Sequence, residues 1–162
     1  MPSMTEEQKV NRGGMIYEGK AKRVYETDDP SQVIFDYKDD ATAFNGQKFA
    51  QFAGKGELNN QISSLVFQRL RTVGVESHFI RKLDTTSQLV RRVEIVPLEV
   101  VVRNRATGSM AKRMGLPDGM NLNTTVLELC YKKDELGDPV ISEYHAAGAG
   151  LATFSEIQQM YR

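Results

Sequence analysis

The sequence predicts an α+β fold in which antiparallel strands come in a run with one long helix inserted. Three observations predict it. Segments rich in β-branched and aromatic residues recur between turn residues, at 15–25, 32–37, 78–83, 88–93, 95–102 and 126–132. One long stretch, 57–73, carries a helical apolar stripe of Leu58, Ile62, Leu65, Val66, Leu70 and Val73. The strands follow one another instead of alternating with helices, which argues against a parallel sheet.

In chain order, residues 1–14 are polar, close on Gly13-Gly14 and read as a mobile tail. The strand at 15–25 is interrupted by Gly19, and Asp28-Asp29-Pro30-Ser31 turns the chain into the returning strand 32–37. An acidic loop is expected over 36–46. The helix at 57–73 has Gly74 as its stop, and its apolar stripe marks it as core scaffold. Strands at 78–83 and 88–93 flank Asp84-Thr85-Thr86. The run 95–102 reads as a buried strand that delivers Arg103 and Arg105 on one face, because side chains two apart on a strand point the same way. Thr107-Gly108 ends it, and Ser109 is the expected N-cap of a short helix stopped by Gly115. Leu116-Pro117-Asp118-Gly119 is a turn and Asp138-Pro139 a break. Thr153, followed three residues later by Glu156, is a capping box, so a helix begins there. It has few residues and no stop signal before Arg162, which reads as a chain cut inside a helix.

Composition narrows the function classes. Lysine plus arginine and aspartate plus glutamate both number 21, so net charge argues for neither nucleic acid nor a membrane surface as partner. No apolar stretch reaches membrane-spanning length and no signal-peptide segment opens the chain. The single cysteine, Cys130, cannot form an internal disulfide, which fits the cytoplasm. With two histidines and one cysteine no zinc-type cluster can be drawn. The remaining metal is magnesium, held by carboxylates and phosphates.

Two stretches carry candidate chemistry. Lys20 and Lys22 flank Ala21 beside Gly19. On one strand face they would offer two ammonium groups to a polyphosphate, and equally they read as a solvated face. Arg103 and Ser109 lie on either side of a strand-to-helix turn, where a guanidinium fork and a hydroxyl suit an oxyanion. Spacing alone leaves them an ordinary strand end. Asp39, Asp40, Thr42 and Asn45 suit a cation or an amine, or plain turn and capping work. No Walker-type or dinucleotide-binding glycine loop is present.

The motifs YEGKAKRVYETDD, DATAFNG, GKGELNNQISS, PLEVVVRNRATGSMAKRMG and KKDELGDP, in that order from about Met15 onward, resemble the SAICAR synthetase family. The resemblance implies an ATP-dependent ligase of purine biosynthesis that joins L-aspartate to carboxyaminoimidazole ribotide through an acyl phosphate, with ATP and Mg2+ as cofactors. It implies a kinase- or ATP-grasp-like nucleotide lobe over 15–98 and the start of a second, substrate-binding lobe over 99–162. ATP would meet Gly19, Lys20, Ala21, Lys22, Arg91, Arg92, Ile95, Leu98 and Glu99, with 95–98 as the hinge that reads adenine. The ribotide and aspartate would meet Asp40, Thr42, Arg103 and Ser109, and Lys132 and Asp138 would be catalytic. Arg91 and Arg92 stand where relatives carry lysines. The family continues beyond Arg162, where its magnesium ligands lie, so a polypeptide ending there is expected to be inactive as a ligase. Relatives are commonly homodimers. A non-catalytic nucleotide-binding remnant and an RNA-binding module compete with the ligase; balanced charge and the lack of an aromatic-rich sheet motif count against RNA.

Overall fold

The computed structural model describes residues 10–43 and 48–161, and at 42, 43, 48 and 49 the backbone alone. Two compact units divide between Val93 and Glu94, five residues before the boundary the resemblance implies.

Unit 1 is built on a five-stranded antiparallel sheet with strand order β1-β2-β3-β7-β6. Its strands are β1 (Met15–Glu18), β2 (Lys22–Glu26), β3 (Gln32–Tyr37), β6 (Phe79–Lys82) and β7 (Ser87–Arg91). The expected single strand at 15–25 is therefore a hairpin. Gly19 to Ala21 form its turn, closed by Gly19 N–H donating to the Lys22 carbonyl at 2.9 Å. The expected acidic loop is instead a second hairpin of β4 (Asp40–Ala43) and β5 (Lys48–Gln51). Asn45 and Gly46 lie outside the described residues, as do 1–9. Of the stretch read as a mobile tail, residues 11–14 are tied to the sheet: Gly13 and Gly14 exchange backbone hydrogen bonds with Glu26, and Asn11 donates to Asp28.

Helix α1 (Lys55–Thr72) packs on the sheet in an unexpected orientation. Its buried residues are Gly56, Asn60 and Ser64, one turn apart on a small and polar face. The apolar stripe faces away, with Leu58 56%, Ile62 52%, Leu65 68% and Val66 49% exposed. The reason is the chemistry of the surface beneath. Ser87 and Gln88 of β7 are buried, and Asn60 Nδ2 donates to the carbonyls of Asp84 (3.0 Å), Thr85 (3.0 Å) and Ser87 (3.2 Å). Those acceptors must be satisfied once water is excluded, and an apolar face could not do it. Gly56 permits the approach: a Cβ there would stand 2.5 Å from the Tyr37 carbonyl oxygen. Helix entry is capped from outside the helix, Asp39 Oδ1 accepting from Gly56 N–H at 2.8 Å, where a negative charge also suits the helix dipole. The exit follows the expected glycine pattern, with Gly74 at φ 82° and Val75 N–H bonded back to the Leu70 carbonyl.

Unit 2 holds a three-stranded antiparallel sheet, order β10-β9-β8, from β8 (Leu98–Ala106), β9 (Met120–Tyr131) and β10 (Val140–Ile141). The buried strand expected at 95–102 starts later and ends later, since Ile95 is 79% exposed and precedes β8. Three short helices follow the turns: α2 (Gly108–Met114), α3 (Glu143–Gly148) and α4 (Phe154–Met160). Thr107, not Ser109, is the N-cap of α2, and Gly115 ends it in the left-handed region. The Thr153–Glu156 capping box forms in both directions, and a second one, Ser142 with His145, starts α3. Leu129, Ala146, Ala152 and Ile157 make the core between the sheet and α3 and α4. Ile157 is fully buried, so this packing stabilises a helix too short to stand alone.

Candidate functional site

Within unit 1 the chemistry gathers at the β1–β2 hairpin. Lys20 lies in the turn and Lys22 opens β2, so they do not share a strand face as the uninterrupted strand would require. Lys22 Nζ stands 4.0 Å from the centre of the Phe35 ring, and partial burial pulls its pKa down from the usual lysine value. The same cation and burial push the His78 pKa down, burial being the larger cause.

Lys38, which sequence reasoning missed, organises this hairpin. Its ammonium pairs with Glu18 at 2.7 Å and Asp40 at 2.6 Å, and its backbone N–H donates to the Ala21 carbonyl at 2.9 Å. Asp40 is thus held by Lys38 on one oxygen and by Gln51 at 3.0 Å on the other. Lys38 first and Gln51 second hold the Asp40 carboxyl below its ordinary range, while Asp40 and Glu18 raise the Lys38 ammonium. Lys55 Nζ donates to the Asp40 carbonyl at 2.8 Å. Thr42 lies in β4, paired with Phe49. Arg91 and Arg92 are exposed at the end of β7, where Arg92 approaches Glu26 at 3.8 Å.

On the opposite face of the sheet a cavity of about 650 Å³ is lined by Arg12, Asp36, Asp84 and Ser87 among others. None of the sequence-predicted residues lines it. Its Arg12 is already engaged, at 3.3 Å to Asp36, at 2.9 Å to Ser87 Oγ and over the Tyr25 ring. With Arg12 and Arg81 matched in number by Asp36 and Asp84, the lining has no net positive charge and is a poor polyphosphate cradle.

Unit 2 brings together two further clusters. In the first, Lys132 pairs with Asp138 and lies 3.4 Å from Glu99. Its pKa is raised, first by the Asp138 hydrogen bond. Asp138 holds the left-handed region at φ 50°, the one non-glycine residue to do so among those described. Such a conformation costs of order 1 kcal/mol or more and persists where surroundings demand it. In the second cluster, Arg103 Nε donates to Glu128 at 2.9 Å and Arg113 bonds the other oxygen of the same carboxylate. Arg103 and Arg105 both lie in the unbroken strand β8, the first half-buried and the second exposed. Their partners are Val126 and Asn121, so the extra residues of the irregularity lie on β9. Ser109 is exposed on α2. Ile95 lies ahead of β8, while Leu98 and Glu99 begin it. The signal that could have found Glu128 and Lys38 is weak, since a charge within a strand, as at Glu128, or one among neighbouring charges, as at Lys38, normally reads as surface.

A family model described as SAICAR synthetase matches residues 15–162. The phosphoribosylaminoimidazole-succinocarboxamide synthase of Clostridium novyi (strain NT) is 59% identical over 147 residues, covering 91% of this chain and 63% of that protein. Its counterpart from Clostridium perfringens (strain SM101 / Type A) is 58% identical over 152 residues, covering 94% and 65%. Among solved structures, the same-named synthase of Ehrlichia chaffeensis superposes with a TM-score of 0.86 at 42% identity, covering 91% of this chain and 62% of that one. A SAICAR synthetase (Type-2) in complex with ADP gives 0.81 at 44% identity, covering 94% and 62%. The chain therefore spans somewhat less than two thirds of the relatives it matches.

Proposed function

The chain belongs to the SAICAR synthetase family, and from that premise we propose that it serves an ATP-dependent ligase of purine biosynthesis. The reaction joins L-aspartate to carboxyaminoimidazole ribotide by way of an acyl phosphate. The observation that carries this reading is the family pattern running through residues 15–162 with the lysine hairpin in place. The relatives are synthases by name and one of them holds ADP, which supports a ligase over a non-catalytic remnant.

In this reading each side chain does charge work, because acyl-phosphate chemistry depends on positioning and electrostatics. Lys20 in the hairpin turn and Lys22 at the start of β2 meet the nucleotide phosphates alongside the Gly19 and Ala21 backbone. Lys38, through Glu18 and Asp40, stiffens the turn that presents them. Arg91, Arg92, Ile95, Leu98 and Glu99 are assigned to the nucleotide on the family resemblance. Asp40 and Thr42 are assigned to substrate, with Asp40 kept anionic beside its lysine. Arg103 and Ser109 hold the ribotide phosphate. Lys132, oriented by Asp138 and Glu99, steadies negative charge that develops during transfer. Among the described residues no group of three or more His, Cys, Asp or Glu is placed to hold a metal ion; the magnesium this reading includes would be held largely by the ATP phosphates. A cytoplasmic homodimer is the assembly this reading expects; among the described residues no helix is long and apolar enough to cross a membrane.

The test is an ATP titration of the chain and of its Lys20→Ala/Lys22→Ala variant. The variant should lose at least about tenfold in affinity, a contribution of ~1.4 kcal/mol, with its amide spectrum intact. Equal affinity in the folded variant would remove the hairpin from the nucleotide site.

A further inference from the structure

Glu128 has no role in the reading above, yet it is the best-held carboxylate of unit 2. Its side chain is 10% exposed and takes two guanidinium groups from different elements, Arg103 of β8 and Arg113 of α2. It stands in the middle of β9, paired across the ladder with Val101, so its backbone is fixed on a strand. The bond to Arg103 is made at Nε, 2.9 Å from Oε2. A contact at Nε grips the guanidinium by its side and does not consume the end-on pair of Nη groups, the fork that takes a phosphate through two parallel bonds.

We propose that Glu128 is a positioning residue for phosphate recognition, clamping Arg103 and Arg113 so that their remaining donors meet one anion. The inference rests on the proposed role of Arg103 at the ribotide phosphate. Two cations around one carboxylate leave the cluster with net charge +1, still attractive to an anion. The cost of ordering two long side chains is met on folding and not on binding. Sequence patterning conceals this function, because an acidic residue near a phosphate site reads as an error.

The electrostatic alternative predicts the opposite sign. If Glu128 merely neutralised its neighbours, removing its charge would make the site more positive and tighten anion binding. If it positions them, removing the clamp weakens binding despite the added positive charge.

The experiment titrates ribose 5-phosphate into the 162-residue chain, following amide and Arg Nε–Hε resonances by NMR. Glu128→Gln should weaken binding roughly fivefold to tenfold, the cost of re-ordering one or two rotamer-rich side chains, and should shift the Arg103 Nε–Hε resonance. Glu128→Asp keeps the charge but shortens the reach, and should also weaken binding, which a neutraliser would not. Equal or tighter binding in either folded variant overturns the clamp. Weaker binding on Arg103→Gln with no loss in the Glu128 variants would refute the clamp and leave the phosphate reading standing. No loss on Arg103→Gln would remove both.

Discussion

Asn60 offers the sharpest test of how unit 1 is held together. It is fully buried, and its Nδ2 lies within hydrogen-bond distance of the carbonyls of Asp84, Thr85 and Ser87. An amide has two N–H donors, so two of these bonds are full and the third is shared. Three converging acceptors also fix which way the amide points. Asn60→Ala strips the donors from all three. An abandoned buried acceptor costs ~1–3 kcal/mol. The Asp84 and Thr85 carbonyls lie nearer the surface and regain water in part, so the full cost falls mainly on Ser87. Against this, Asn60 Oδ1 is itself buried without a hydrogen-bond partner, and its removal returns ~1 kcal/mol. The expected net loss is about 1–2 kcal/mol for unit 1. Because the chain has no tryptophan and two units, the assay is native-state hydrogen exchange of the β7 and α1 amides, which reads unit 1 separately. A loss below ~0.5 kcal/mol, the range of ordinary surface changes, would refute the claim that these carbonyls determine how α1 sits.

Two other expectations concern unit 1. Leu65 is 68% exposed, so Leu65→Gln should change unit 1 stability by less than ~0.5 kcal/mol by urea titration, whereas a loss of ~2 kcal/mol or more would mark it as core. The Asp40 carboxyl is held down by Lys38 first and Gln51 second. Its contribution is complete above the unfolded carboxyl value of ~3.9 and is lost as pH falls through the folded one. Asp40→Asn should therefore flatten the acid limb of unit 1 stability below about pH 4; an unchanged slope between neutral pH and pH 3 would show that the pair contributes nothing.

The amino-acid sequence by itself determined the fold class, the hairpin turn at 28–31, the strand pairs around Asp84 to Thr86, the long helix with its glycine stop, and the capping box at Thr153. These features depend on neighbours in the chain: period, turn chemistry and caps act over a few residues. It also carried the motifs that resemble the family, and with them the candidate residues. Tertiary structure alone decided which face of α1 meets the sheet. Period reveals that a helix is two-faced, but the face that docks is chosen by what lies beneath, here carbonyls and Gln88 that only a polar face could satisfy. In the same way Lys38, just after β3, joins Glu18 of β1 to Asp40 of β4, and Glu128 of β9 joins Arg103 of β8 to Arg113 of α2. An irregularity on β9 sets Arg103 opposite Val126 and Arg105 opposite Asn121, a pairing that no pattern in β8 announces. Ion pairs between distant segments leave no period in the chain, because their partners are set by strand register and helix placement, and both of those are properties of the packed molecule.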